Sequence, residues 1–187
     1  VGDIGRMVDE FSSFARMPTP IMAPGNIKKT VRETVFLEKV GFPEIDIDLQ
    51  MPDGEVSVVY DERMLSQALI NVIKNAAEAI EAIDGERKGK IDVVLKTEGT
   101  KVVIDVIDNG KGLPETDRQK LLEPYMTTRE KGTGLGLPIV RKIIEDHGGF
   151  IDLMDAPGVA NGGNGAMMRL VLPLAKPGEE NTGVAEK

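Results

Sequence analysis

Three stretches of the sequence place glycines and oxygen-bearing side chains at spacings that could hold a phosphate. In "NVIKNAAEA", Asn71, Asn75 and Glu78 stand at i, i+4 and i+7, so a helix stacks them on one face with Lys74 beside them. Asn is a poor mid-helix residue because its amide competes for backbone hydrogen bonds. Two of them suit a solvated face, or a set of amide oxygens that holds a hard cation such as Mg2+ on a phosphate. "DNGKG" ends an apolar run and sets Asp108 before Gly110 and Gly112. The pattern is good turn chemistry. It is equally a strand-end carboxylate, and once buried that group needs a donor, for which the exocyclic amine of adenine is a candidate. "GTGLGL" spaces Gly132, Gly134 and Gly136 ahead of a helix with Pro138 in its first turn. Free N–H groups and the helix dipole attract an anion there. No G-x-x-x-x-G-K-[ST] and no G-x-G-x-x-G occurs, so a nucleotide site built from these stretches belongs to another architecture.

The remaining chemistry is narrowly bounded. There is no Cys and one His, which excludes disulfides, thiolate catalysis and a Cys- or His-rich metal centre. Any metal is a hard, oxygen-ligated ion. The net charge of -8 removes the electrostatic attraction on which nucleic-acid binders rely. His147 lies roughly 18 Å from the glycines at 1.5 Å per helical residue, too far to meet a phosphate held there. Followed by Gly148 and Gly149, it reads as a helix-terminal residue beside the negative dipole end. No apolar run approaches the ~18 residues of a spanning helix and no signal peptide opens the chain, so a soluble cytoplasmic piece without membrane contact is expected.

The elements that must position these residues follow from periodicity. Ile4, Val8, Phe11 and Ala15 repeat at helical spacing over residues 1–17, and "PTPIMAPG" (18–25) reads as a linker. Asn26 caps a helix to about Val40, closed by Gly41 at C′. "IDIDLQM" and "VSVVY" flank "PDGE" and predict a β-hairpin. Asp61 caps the longest helix, 62 to about 83. Strands "KIDVVLKTE" and "KVVIDVID" meet at Gly99 and Thr100, and a helix over about 135–147 precedes strands "GFIDLMD" and "AMMRLVLPL". The polar connection 114–133 has a length that signals function or disorder, and the tail 175–187 is expected to be disordered. Interleaved strands and helices with several hairpin turns point to a mixed α/β sandwich.

Taken in order, these stretches resemble the boxes of sensor histidine kinases. "NVIKNAAEA" looks like the N box, "DNGKG" the first glycine box, "LLEPYMTTR" (121–129) the F box and "GTGLGL" the second glycine box, while "GGNGAMMRLVLP" resembles the closing strand. The resemblance covers about residues 26–174. It implies the Bergerat ATP-binding fold, an α/β two-layer sandwich whose mixed sheet is covered on one face by helices, with ATP between the N-box helix and a lid at 113–133.

By position it implies that Asn75 and Asn71 hold Mg2+ and phosphates, with Lys74 and Glu78 alongside. Asp108 accepts from adenine, and Gly110 and Gly112 shape the base pocket. Thr128, Arg129, Lys131, Gly132, Thr133, Gly134, Leu135 and Gly136 surround the phosphates, with Arg129 reaching the γ-phosphate. Tyr125 stands where the family usually has Phe. Related gyrase, mismatch-repair and chaperone ATPases carry a water-activating Glu where this chain has Asn71, which shifts the reading from hydrolysis to phosphoryl transfer.

"RMVDEFSSFARMPTP" resembles the end of the second dimerisation helix of nitrogen-regulation sensors of the NtrY type, with the linker after it. The resemblance implies a truncated kinase from which the helix bundle bearing the phosphoacceptor histidine is missing. It also implies a response regulator as partner, homodimers in the full-length family, and an inner-membrane sensor with this part in the cytoplasm. A non-catalytic ATP-binding interaction module, and a serine-directed kinase of the same fold such as the anti-sigma-factor type, remain alternatives.

Overall fold

The computed structural model describes residues 2–124, 134–158 and 164–175. Helix α1 (Gly2–Ala15) leads into the Pro-rich segment, and a short strand β1 (Ala23–Asn26) delivers the chain to α2 (Ile27–Gly41). The strands β2 (Ile45–Gln50) and β3 (Ser57–Tyr60) precede the long helix α3 (Glu62–Glu81). A hairpin of β4 (Gly89–Glu98) and β5 (Lys101–Asp108) follows, then a 3-10 turn at Arg118–Leu122, α4 (Gly136–Asp146), β6 (Phe150–Asp155) and β7 (Ala166–Pro173).

Five strands form one mixed sheet in the order β2-β4-β5-β7-β6, with β2 parallel to β4 and the other pairs antiparallel. Alternation in each strand decides which face is dry. Ile91, Val93 and Leu95 of β4, Val102, Ile104 and Val106 of β5, and Leu170 and Leu172 of β7 are buried against α2, α3 and α4. Leu65, Leu69, Val72, Ile73 and Ala76 supply the matching stripe of α3. On the opposite face Arg169 donates to both carboxylate oxygens of Asp105, at 2.8 and 2.9 Å, and Lys96 lies 3.5 Å from the same group. Charge pairing satisfies that face, and the helices cover the other.

Local caps set the helix boundaries. The Asn26 side chain accepts from Lys28 N, and Asp61 Oδ1 accepts from Arg63 N and Met64 N. Helix α4 ends in a Schellman motif: Gly148 stands at φ 79° and donates to Glu145, while Gly149 donates to Ile144. Gly41 differs from expectation, because it is the last helical residue at ordinary φ and Phe42 closes α2 by donating to Glu38.

The expected hairpin of "IDIDLQM" and "VSVVY" does not form. Strand β2 joins the five-stranded sheet parallel to β4, and β3 pairs antiparallel with β1 in a separate two-stranded sheet. The reason is tertiary. A parallel β2–β4 pair needs a crossover between its strands, and β3 with α3 is that crossover. Lys28 Nζ donates to the carbonyls of Pro52 and Gly54, holding the turn so that it leads away from the sheet. Val58 and Tyr60 are buried there, with the Tyr60 hydroxyl 2.7 Å from Thr30 Oγ1. The segment expected as a linker therefore ends in a strand, Ala23–Asn26. The tail beyond Ala175 lies outside the described residues.

Burial pushes the Asp61 carboxyl up, and donors from Ile21, Met64 and Arg63 together outweigh it and hold the group below its ordinary value of 3.8. A depressed folded value stabilises above 3.8 and is lost as pH falls through it. The thermal-stability difference between wild type and Asp61→Asn should therefore be largest above pH 4 and vanish in stronger acid. A difference that grew on acidification would contradict this role for Asp61.

Candidate nucleotide site

Helix α3 brings the first and third stretches together. The side chain of Asn71 donates through Nδ2 to the carbonyl of Gly136, the first residue of α4, at 3.4 Å. One turn on, the Asn75 amide faces the same glycine, with Nδ2 3.7 Å and Oδ1 3.9 Å from where a Cβ on Gly136 would stand. Both Asn residues are half-buried, while Lys74 and Glu78 are exposed on the same side of the helix. Lys74 also draws on Glu38 of α2: burial raises the Glu38 carboxyl above its ordinary value, and the Lys74 charge opposes that shift.

Gly134 stands at φ 71°, Leu135 is the N-cap, and Pro138 falls in the first turn, where its missing N–H costs nothing. The Leu135 side chain is buried in the core, so this residue presents only main chain at the helix N-terminus. Thr128, Arg129, Lys131, Gly132, Thr133 and Tyr125 lie outside the described residues, as does most of the second half of the expected lid.

The second stretch packs against the far end of α3. Lys111 N donates to the carbonyl of Ala79, and a Cβ on Gly110 would stand 2.5 Å from that residue's carbonyl carbon. No side chain fits at 110. Gly112 takes a left-handed φ of 82°. From Asn71 to Ala79 the two clusters are about 12 Å apart along the helix.

Asp108 is 4% exposed at the end of β5. Its Oδ1 accepts from Gly110 N at 2.8 Å and from Ala166 N at 3.3 Å, and Oδ2 has no partner among the described residues. Desolvation raises its pKa above 3.8, against the opposing pull of the Gly110 and Ala166 amides. A buried carboxylate with one oxygen fixed and the other open is ready to accept one further hydrogen bond.

Two contributors carry no signal in composition or spacing. Gly165 (φ 140°) passes so close to the strand end that a Cβ on it would lie 1.9 Å from the carbonyl oxygen of Asp108. Asn109 pins the loop to β4, accepting from Lys90 N at 2.8 Å and donating to Lys88 O at 3.0 Å. The "NG" pair signals a turn, but the partners of Asn109 lie some twenty residues upstream.

Among the described residues no group of three His, Cys, Asp or Glu side chains could hold a metal. The amide oxygens of Asn71 and Asn75 and the Glu78 carboxylate are hard oxygens, the class of ligand that suits Mg2+ retaining part of its water shell.

The family model for histidine kinase-, DNA gyrase B- and HSP90-like ATPases matches residues 60–176. The chain belongs to this ATPase family. It is 53% identical over its full length to the nitrogen regulation protein NtrY of Azorhizobium caulinodans, of which it spans 24%, and it spans about a quarter of other curated relatives. The nucleotide-free catalytic domain of the histidine kinase ThkA is 32% identical and superposes with a TM-score of 0.70, covering 82% of this chain and 95% of that one. The structure of ThkA in complex with the response regulator protein TrrA is 26% identical with a TM-score of 0.75, covering 93% of this chain and 48% of that one. The mixed five-stranded sheet with helices on one face is thus the family's ATP-binding fold.

Replacing Asp108 by Asn keeps an oxygen for Gly110 and Ala166 but turns an N–H toward any purine amine. ATP affinity should fall about tenfold or more, worth ~1.4 kcal/mol. Because burial raises the carboxyl, its ionised form costs stability at neutral pH, so the same variant should melt no lower than wild type. Gly110→Ala, in contrast, should lower the melting temperature and weaken ATP together. Calorimetric titration and thermal melts distinguish the two patterns.

Proposed function

We propose that this chain is the catalytic, ATP-binding part of a two-component sensor histidine kinase. In this reading it binds Mg-ATP and delivers the γ-phosphoryl group to a histidine carried outside these 187 residues, for relay to an Asp of a response regulator. The observation that supports this best is the approach of Asn71 and Asn75 to Gly136 in the first turn of α4, and of the loop that follows Asp108 to Ala79 near the end of α3. Membership of the ATPase family and 53% identity to NtrY point the same way.

In this mechanism the residues chiefly bind and orient. Asp108 Oδ2 accepts from the adenine amine, while Gly110, seated on Ala79, and Gly112 shape the base site. Asn71 and Asn75 hold the metal and phosphates, assisted by Lys74 and Glu78. The amides from Gly132 to Gly136 face the phosphates at the positive end of α4. Arg129, with Lys131, reaches the γ-phosphate, and Thr128 and Thr133 belong to the nucleotide-binding set. Mg2+, when bound, neutralises charge that develops on the transferred group.

An amide at position 71 cannot take a proton from water as a carboxylate could, so ATP waits for a nucleophile supplied elsewhere. The catalytic gain then rests on placing the acceptor imidazole in line with the γ-phosphorus. No helix among the described residues is long and apolar enough to cross a membrane. The likeness to NtrY is what leads us to place this part in the cytoplasm beneath an inner-membrane sensor that functions as a homodimer.

His147 is buried, and both its ring nitrogens are engaged within the domain. The isolated chain should therefore bind Mg-ATP without labelling itself from γ-labelled ATP, and should label a separately supplied helix bundle carrying the acceptor histidine. Asn75→Ala should abolish that transfer. Label appearing on the chain alone, or transfer that survives Asn75→Ala, would sink the proposal.

A further inference from the structure

The sole histidine holds two helix ends together. His147, 4% exposed, accepts through Nε2 from Asp61 N at 3.0 Å. That fixes the tautomer, so Nδ1 carries the proton and donates to the carbonyl of Ile143 at 2.7 Å. The ring thus ties the last turn of α4 to the N-cap of α3. At the other end of α4, the Asn71 side chain, midway along α3, holds the carbonyl of Gly136. From Asp61 to Asn71, and from His147 back to Gly136, the antiparallel helices rise about 15 Å and about 16 Å at 1.5 Å per residue. A rod clamped at both ends transmits a shift at one end to the other.

Asp61 is also where the Pro-rich segment meets the domain. Its Oδ2 accepts from Ile21 N at 2.8 Å. Among the described residues this is the hydrogen bond that fastens the chain between Met17 and Met22 to the domain. The Ile21 side chain is 81% exposed, so its amide makes the attachment and its side chain does not. One residue thereby joins three parts: the segment through its carboxylate, the start of α3 through the same group, and α4 through its own N–H and the imidazole.

We propose that His147 is a positioning residue for the ATP site, and that through Asp61 it couples the seating of α4 to the docking of segment 17–22. This rests on the ATP reading of the site and adds to it a route by which the segment preceding the domain regulates nucleotide affinity. Docking of the Ile21 amide fixes Asp61, Asp61 fixes the imidazole, and the imidazole fixes the α4 rod whose first turn faces the phosphates. Such coupling is reciprocal: bound ATP must tighten the Ile21 contact by the factor by which that contact tightens ATP.

The test uses the full 187-residue chain. Ile21→Pro removes the amide donor and leaves the Asp61 cap intact, and Ile21→Ala keeps the donor while trimming an exposed side chain. Mg-ATP affinity, measured by calorimetry, should weaken about fivefold in Ile21→Pro, the low end of ordinary coupling energies, and stay unchanged in Ile21→Ala. ATP should slow hydrogen exchange of the Ile21 amide in wild type by a similar factor, and His147→Ala should erase that effect. Equal affinities for the two Ile21 variants, or exchange at Ile21 indifferent to ATP, would overturn the proposal. If His147→Ala fails to fold, the Ile21 pair and the wild-type exchange decide alone. Failure of the wild-type chain to bind Mg-ATP would overturn the underlying reading of the site instead.

Discussion

The seating of α4 against α3 is the contact on which the rest of this domain depends. Val140, Ile143 and Ile144 bury against the core that Leu65, Leu69, Val72 and Ile73 also fill, so the two helices share one apolar seam. That seam places the polar residues of α3 opposite the start of α4. Two half-buried amides in mid-helix would weaken an isolated segment. Here Asn71 bonds to the neighbour's first turn and Asn75 faces it, so the polar site and the packing of the core come from the same juxtaposition.

Much of this is local and hence legible in the chain. Asn26, Asp61 and the Gly148–Gly149 pair bound their helices because capping is settled within a few residues. The β4–β5 hairpin was readable from the turn at Gly99, and the three chemical stretches from residue type and spacing. What was not legible depends on distant partners. Strand β1 has the sequence Ala-Pro-Gly-Asn, with no strand propensity, and exists because Val58 and Tyr60 need cover. The turn at Pro52 to Gly54 looked like a hairpin because the competing parallel partner, β4, lies forty residues on. Gly165 carried no signal of its role, since its reason is the carbonyl of Asp108. His147 was readable as a helix end, but its bond to the amide of Asp61 spans 86 residues.

The sheet divides labour between its faces. The dry face carries the helices and the site. The other is held by the Asp105–Arg169 fork with Lys96 nearby, in which the Asp105 carboxylate is 3% exposed and fully paired. A bidentate guanidinium suits this position, because it satisfies a buried carboxylate geometrically as well as electrically. The edge strand β2 shows polar logic of the same kind, with Asp46 and Asp48 facing Lys88 and Lys90, which discourages further strands from adding there.

The glycines around Asp108 have a thermodynamic consequence for ligand choice. Gly110 is pressed against the backbone of Ala79, and Gly165 against the carbonyl of Asp108 itself, so main chain grips the carboxylate loop from two sides. A carboxylate loop gripped in this way is set before any ligand arrives, and a hydrogen bond to it demands little loss of conformational entropy. A preformed acceptor discriminates by penalty: a base that offers a second acceptor to Oδ2 leaves two buried oxygens facing each other, with no loop able to retreat. In the proposed reading, selectivity for the base follows from that rigidity.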